Sequence, residues 1–266
     1  MKISELIPAL QRRLRFYLAA RTRYDLHSPF IAELTEDVLE DRRVYYAFSH
    51  IEVARERWLL DKDPVPAALF GAGSKTGRPT RHTAGNLLSS SAVDAETGRR
   101  LFRLALRQKP DTILELGTSQ GISTSYLAAA NTQTRVITIE GNPVLAQKAR
   151  SHFDELGLPN IRIFTGSFEE QLPHALEAAG TVDLLFMDGD HREEALLRCV
   201  RQCMACRGDG SVFVIADIHW SDEMERAWEQ LCELPEVTLS VDLFHTGLLF
   251  FRKEFREKQH VSIVPA

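Results

Sequence analysis

No stretch of this chain approaches the roughly 18 to 20 consecutive apolar residues that cross a bilayer. Met1 to Arg23 likewise has arginines scattered through it where a secretion signal would carry an unbroken apolar segment and a cleavage site. The expected location is therefore the cytoplasm. Cysteine is scarce: Cys199, Cys203, Cys206 and Cys232 are the only four. The first three recur at helical spacing with no second pair to complete a zinc site, so packing is their expected role. Positive charge is not in excess either, with 32 Lys and Arg against 37 Asp and Glu and a formal net charge of −5. That balance disfavours a surface that grips long nucleic acid as a whole. It leaves a local cluster, Arg12, Arg13, Arg15, Arg21 and Arg23, to be accounted for. Internal repeats and low-complexity segments are absent.

What the chain does have is the composition of an ordinary globular protein, 44% hydrophobic and 26% charged over 266 residues. From Thr112 onward, short apolar runs rich in β-branched residues alternate with segments of helical periodicity, the pattern of a parallel sheet covered by helices on both faces. Strands are expected at about 112–117, 135–140, 160–165, 182–188 and 210–217, with helices at about 122–131, 143–156, 168–179, 191–205 and 221–233. Val237 to Leu243 and Thr246 to Phe251 read as two more strands joined by a tight turn, an antiparallel hairpin that brings the total to seven. The fold class is α/β, Rossmann-like, mostly parallel with a reversed C-terminal hairpin.

The first part differs. Helical stretches near 3–20, 29–40 and 48–60 lead to a Gly-, Ser- and Thr-rich run from Gly71 to Ser91 and a helix near 94–108. Residues 1–109 read as a helical cap with a lid-like or connecting loop, and residues 110–266 as the sheet domain. Within the loop, Lys75, Arg78, Arg81 and His82 could close over an anionic substrate or form a solvated basic surface. Ala67 to Ser74 imitates a nucleotide loop without the acidic residue or the βα unit that one needs. Ser28-Pro29 is a helix start, which leaves Tyr24 and His27 beside it as weak pocket candidates.

Chemistry concentrates at Ile113-Leu114-Glu115-Leu116-Gly117-Thr118-Ser119-Gln120-Gly121-Ile122-Ser123: an apolar strand, an acidic residue near its end, a glycine turn and a helix start. Glycine lets a ligand approach the backbone, and amides at the helix N-terminus can receive a carboxylate. Ser119 occupies the middle position of Gly-x-Gly-x-x-Gly, which disfavours a dinucleotide. The next strand ends in Glu140, an acidic side chain placed to accept hydrogen bonds from ribose hydroxyls. Two further strand ends carry Phe186-Met187-Asp188-Gly189-Asp190-His191 and Asp217-Ile218-His219-Trp220. Asp188 and Asp190 are also good turn chemistry. His191 and His219 are candidate general bases, His191 at the opening of a helix. Trp220 and Trp228 read as packing residues, Trp220 being the better candidate for a substrate wall.

The Glu-Leu-Gly-Thr-Ser-x-Gly turn, the Ile-Glu-Gly end of the second strand and Phe-Met-Asp-Gly-Asp-His in the fourth resemble class I S-adenosylmethionine-dependent methyltransferases. The nearest type is the small-molecule O-methyltransferases that act on catechols and caffeoyl-coenzyme A, and the resemblance covers about residues 110–253. It implies a cofactor site that includes Glu115 and Gly141, in which Gly117, Thr118, Ser119 and Gly121 wrap the methionine part, Ser123 meets its carboxylate and Glu140 holds the ribose. It also implies that Gly166, Ser167 and Phe168 flank the adenine, with Asp188 at the edge of the same site. The family's metal ligands fall on Asp188 and Asp217, but the third position is Ile218 where asparagine is usual, and His219 is the substitute. Mg²⁺ fits the carboxylates, and an imidazole ligand shifts the balance toward Mn²⁺ or another borderline ion. The implied reaction is O-methylation of a small hydroxylated acceptor. Methylation of a hydroxyuridine in transfer RNA, with the Arg12 to Arg23 cluster on the backbone, and a cofactor-binding protein without turnover are the alternatives. A homodimer stays open.

Overall fold

The structure, a computed structural model, describes residues 3–22, 25, 28–66 and 82–264. In chain order the elements are α1 (Ile3–Ala19), α2 (Pro29–Leu34) continuing into a π-helical turn (Thr35–Leu39), α3 (Tyr46–Trp58), β1 (Pro64–Val65), β2 (His82–Thr83), α4 (Ala84–Ser91), α5 (Ala95–Gln108), β3 (Thr112–Leu116), α6 (Ile122–Ala129), β4 (Arg135–Glu140), α7 (Pro143–Leu156), β5 (Ile161–Thr165), α8 (Phe168–Ala179), β6 (Val182–Met187), α9 (Glu193–Met204), β7 (Arg207–Ala216), α10 (Asp222–Glu233), β8 (Leu239–Asp242), β9 (Thr246–Phe250) and β10 (Gln259–Ser262). The main sheet has eight strands in the order β10-β8-β9-β7-β6-β3-β4-β5, and β9 runs antiparallel to both β7 and β8. No helix among the described residues is long and apolar enough to cross a membrane.

The Rossmann-like sheet and its reversed hairpin are as the sequence pattern predicts, with one strand more. β10 lies parallel beside β8. Its Gln-His-Val-Ser sequence has neither the length nor the apolar content of a core strand, and it forms because β8 offers an open edge. The expected loop from Gly71 to Ser91 is also corrected for its last ten residues, 82–91, which form β2 and α4. Thr83 caps α4 by accepting from the Asn86 amide, and β2 pairs with β1 through Val65 and His82. Lys75, Arg78 and Arg81, like Arg23, Tyr24, His27 and Ala67 to Ser74, lie outside the described residues.

Contacts divide the chain into one unit of residues 42–184 and another of residues 1–41 with 185–266. The sequence pattern puts its boundary at Lys109-Pro110, and the difference has a physical reason in packing. Within the first unit Phe48, Ile51 and Trp58 of α3 and Phe102 of α5 share one buried cluster with Ile122 and Tyr126 of α6. Phe48 and Phe102 meet edge to face at 4.9 Å, and the Tyr126 hydroxyl donates to Glu52 at 2.8 Å. Gly98 is required there, since a Cβ would stand 2.4 Å from the Tyr126 ring.

Helix ends are fixed by local chemistry. Asp94, Asn142, Ser167 and Ser221 each accept a backbone amide in the first turn of α5, α7, α8 and α10, each worth about 1 kcal/mol. α7 has Pro143 in its first turn and stops at Gly157 with φ +66°, the usual left-handed terminator. α9 begins at Glu193, so His191 stands in the loop before the helix and does not open it.

Candidate active site

Within residues 42–184, β3 is buried along its whole length and carries Glu115 completely inside. The carboxylate is met by three hydroxyls. Ser123 Oγ donates to Oε1 at 2.6 Å, and Thr138 Oγ1 at 2.6 Å and Thr124 Oγ1 donate to Oε2. Thr138 stands opposite Glu115 in the parallel register of β3 and β4. Burial pushes the Glu115 carboxyl up, against the pull of the hydroxyls. Glu115 therefore ties β3, β4 and the start of α6 together, and Ser123 turns its hydroxyl inward to it.

The turn after β3 passes through three positive backbone angles, Gly117 at φ +107°, Ser119 at +48° and Gly121 at +87°. Ser119 has a side chain in the left-handed region, where a non-glycine residue persists only if its surroundings hold it. Here its amide donates to Glu140 Oε2 at 2.7 Å, while the Asn142 amide donates to Oε1 at 2.8 Å. Burial raises the Glu140 carboxyl, opposed by the Asn142, Ser119 and Gly141 amides. Each carboxylate oxygen has two lone pairs, so acceptor capacity remains for the hydroxyls of a ribose. Gly166 at φ +145° donates its amide to the Glu140 carbonyl, and Ser167 caps the helix that Phe168 begins.

Sequence reasoning missed the residues that hold this turn from behind. Gln120 is buried, its side-chain amide donates to the Ala84 carbonyl at 2.7 Å, and its own carbonyl accepts from His152 Nδ1 at 2.9 Å. His152 is stacked flat on Trp58 at 3.6 Å. Asn142 Nδ2 donates to the Pro66 carbonyl at 3.3 Å, and Ser91 and Ser119 share a hydroxyl contact at 3.3 Å. Only long-range pairing, invisible in a linear pattern, identifies these partners.

In the other unit, Asp188 follows β6, His191 stands before α9 and Asp217 follows β7. One donor atom from each lies within 4.8 Å of the others. His191 Nε2 and Asp217 Oδ2 are 3.7 Å apart. Ligands at about 2.1 Å from a common ion stand about 3 to 4.2 Å from one another; the His191–Asp217 separation lies in that range, and two carboxylates with an imidazole are a donor set of the kind that holds a divalent cation. Asp217 adopts φ +55°, with its amide donating to the His245 carbonyl at 2.6 Å. Trp220 is 52% exposed with its ring 6.4 Å from that of His191, whereas Trp228 is buried against Gly247. Asp190 is engaged by Arg192.

His219 is not in this group. Its Nδ1 is 2.7 Å from Glu225 Oε1 and its Nε2 is 2.9 Å from Asp242 Oδ2, and its ring stacks on Phe244 at 5.1 Å. With both nitrogens committed to carboxylates, the imidazole that joins the aspartates is that of His191. Cys199, Cys203 and Cys232 are buried free thiols, and burial pushes Cys199 up to about 11.

Strand order, glycine turn and acidic strand ends define a methyltransferase domain, and residues 114–218 match the family described as Methyltransferase domain. A catechol O-methyltransferase of Mycobacterium tuberculosis is 30% identical over 162 residues, 60% of this chain and 67% of that protein. A catechol O-methyltransferase of Niastella koreensis is 37% identical over 102 residues, 37% of this chain and 46% of that protein. The O-methyltransferase TomG from Streptomyces achromogenes, solved in complex with SAM, has the same fold with a TM-score of 0.57 at 20% identity, covering 79% of this chain and 91% of that one. The chain belongs to the class I S-adenosylmethionine-dependent O-methyltransferases.

Proposed function

We propose that the chain methylates a hydroxyl of a small, catechol-like acceptor, and that Asp188, His191 and Asp217 hold a divalent cation for the reaction. The carrying observation is the convergence of those three side chains at the ends of β6 and β7 and before α9. A bound cation would lower the pKa of an acceptor hydroxyl so that it attacks as an oxyanion. An imidazole among the ligands favours Mn²⁺ or a similar borderline ion over Mg²⁺.

On the cofactor side, Glu140 holds the ribose with its remaining lone pairs. The turn Gly117 to Gly121 offers close backbone approach, and Gly166 to Phe168 borders the adenine. Since the Ser123 hydroxyl is taken by Glu115, the first-turn amides of α6 are the better match to the cofactor carboxylate. Glu115 acts as a positioning residue beneath the turn. Methyl transfer needs the acceptor oxygen in line with the sulfonium methyl, and holding both reactants in that geometry supplies much of the acceleration. Trp220, exposed beside His191, is a wall for a flat acceptor.

A small acceptor is favoured over transfer RNA because two of the five clustered arginines already have acidic partners, Arg12 with Asp222 at 2.8 Å and, at its partly exposed edge, Arg15 with Glu225 at 3.3 Å, which leaves a reduced basic surface for a nucleic-acid backbone. The relatives with the catechol name support the same choice. The buried free thiols accord with a reducing, cytoplasmic setting. The deciding experiment is methyl transfer to catechol acceptors with Mn²⁺, Mg²⁺ or a chelator, together with calorimetry of S-adenosylhomocysteine on the intact protein and Glu140→Ala. Chelator-sensitive turnover, lost in Asp188→Asn, supports the reading. Turnover indifferent to the chelator removes the metal, and absence of cofactor binding removes the cofactor assignment.

A further inference from the structure

α1 has two faces with different fates. On one, Phe16 is buried against Phe244, with ring centroids 5.3 Å apart, and Arg12 pairs with Asp222 of α10 at 2.8 Å. Just beyond α1, the Arg21 amide donates to the Ser262 carbonyl of β10 at 2.8 Å, which ties the end of the helical segment to the sheet edge. The opposite face makes no hydrogen bond, ion pair or ring contact with another element among the described residues, the Tyr17 ring meeting only its helix neighbours Phe16 and Arg13: Ile7 is 57% exposed, Leu10 69%, Leu14 58%, Tyr17 52% and Leu18 78%. At 3.6 residues per turn these five side chains fall in one arc about 100° wide. They form a continuous apolar strip on a helix held in place by its other side.

The residues beside the strip decide what covers it. Arg13 lies on one flank and Arg15 on the other, the latter reaching Glu225 while 69% of its side chain stays exposed. Arg21 follows the helix, and no Asp or Glu occurs from Leu6 to Tyr24. A second copy of α1 laid on this strip in either direction would set arginine flanks against arginine flanks, with no acid on the facing helix from Leu6 onward to answer them and with Asp222 and Glu225 already paired to Arg12 and Arg15. An apolar strip edged by arginines, with a tyrosine at its margin, matches instead the interface of an anionic bilayer: the aliphatic side chains enter the acyl boundary and the arginines reach the headgroups. The formal net charge of −5 makes this attraction local to α1, not a property of the whole surface.

We propose that α1 is a peripheral membrane-docking helix that lies in the plane of an anionic lipid surface through Ile7, Leu10, Leu14, Tyr17 and Leu18, with Arg13 and Arg15 at headgroup level. The docking is reversible, because a single short amphipathic strip gives only modest membrane affinity. It is independent of the metal and acceptor assignments above.

The test is co-sedimentation of the full chain with vesicles of equal parts phosphatidylglycerol and phosphatidylcholine, against vesicles of phosphatidylcholine alone. A double variant, Leu10→Asp with Leu14→Asp, removes the strip at two exposed positions. Its S-adenosylhomocysteine binding, measured in parallel, reports that it is folded. The expected result is binding to the anionic vesicles at least about tenfold stronger than to the neutral ones, weakened by salt, and lost in the double variant while cofactor binding is unchanged. Intact protein that stays in the supernatant with anionic vesicles overturns the proposal, as does a double variant that binds them as well as the parent. A dimer in sedimentation equilibrium that the double variant disperses, without vesicle binding, gives the strip to a second copy and overturns it too.

Discussion

Ser123 Oγ stands 2.6 Å from Glu115 Oε1, so the first turn of α6 is fastened to the interior of β3 by a buried carboxylate. The Thr124 and Thr138 hydroxyls complete the cage. Glu115→Ala strands all three donors away from water and is expected to cost about 3 kcal/mol or more. Glu115→Gln keeps the shape and isolates the charge. Burial holds the native carboxyl above its ordinary 4.5, so its contribution to stability is present below that pH and is lost as pH rises through the elevated value. Urea unfolding at pH 5 and pH 8 is expected to show the balance between the two proteins shifting toward the glutamine variant at the higher pH. A difference independent of pH would contradict this.

His219 is the complementary case. Burial lowers its pKa, but Asp242 and Glu225 on its two nitrogens outweigh burial and raise it above 6.5. The stabilisation is complete below pH 6.5 and fades as pH rises through the elevated value. His219→Gln is expected to lose about 2 to 4 kcal/mol at pH 6 and clearly less at pH 9, by thermal unfolding. An equal penalty at both would mean that the ring acts by packing on Phe244 alone.

Gly121 supports a prediction about the cofactor turn. Its φ is +87°, and a Cβ there would lie 2.4 Å from the Phe153 ring. Gly121→Ala thus meets a backbone penalty of about 1 kcal/mol or more together with a clash in a packed interior. We expect a loss of about 2 to 4 kcal/mol in chemical unfolding and at least tenfold weaker S-adenosylhomocysteine binding. Retention of both would show that the turn is not fixed as described.

The sheet was legible because β3 to β6 are short apolar runs separated by helices, each ending within two residues of the expected place. The acidic strand ends Glu115, Glu140, Asp188 and Asp217 were legible for the same reason: a strand boundary assigns them a position. β10 escaped because an edge strand needs no apolar face. His191, and not the expected His219, stands beside Asp188 and Asp217 because direction, not distance along the chain, decides which side chain reaches Asp217. The turn at Asp217, with its left-handed backbone, aims His219 toward Asp242, and no spacing rule encodes that rotation.

That left-handed turn separates function from stability at Asp217. A residue strained for function should be replaceable with a gain in stability, whereas a structural residue should not. Asp217 holds φ +55° and its amide bonds the His245 carbonyl. Asp217→Gly keeps the amide and removes the cost of placing a Cβ in that region, about 1 kcal/mol. Its melting temperature is therefore expected to equal or exceed that of the parent, while methyl transfer in Mn²⁺ falls by about a hundredfold or more. Asp217→Asn, which tolerates the same backbone angle and retains one oxygen donor, is expected to fall between the two in activity. If Asp217→Gly is instead markedly destabilised and keeps its turnover, Asp217 serves the turn and not the chemistry, and the cation would have to rest on Asp188 and His191 alone.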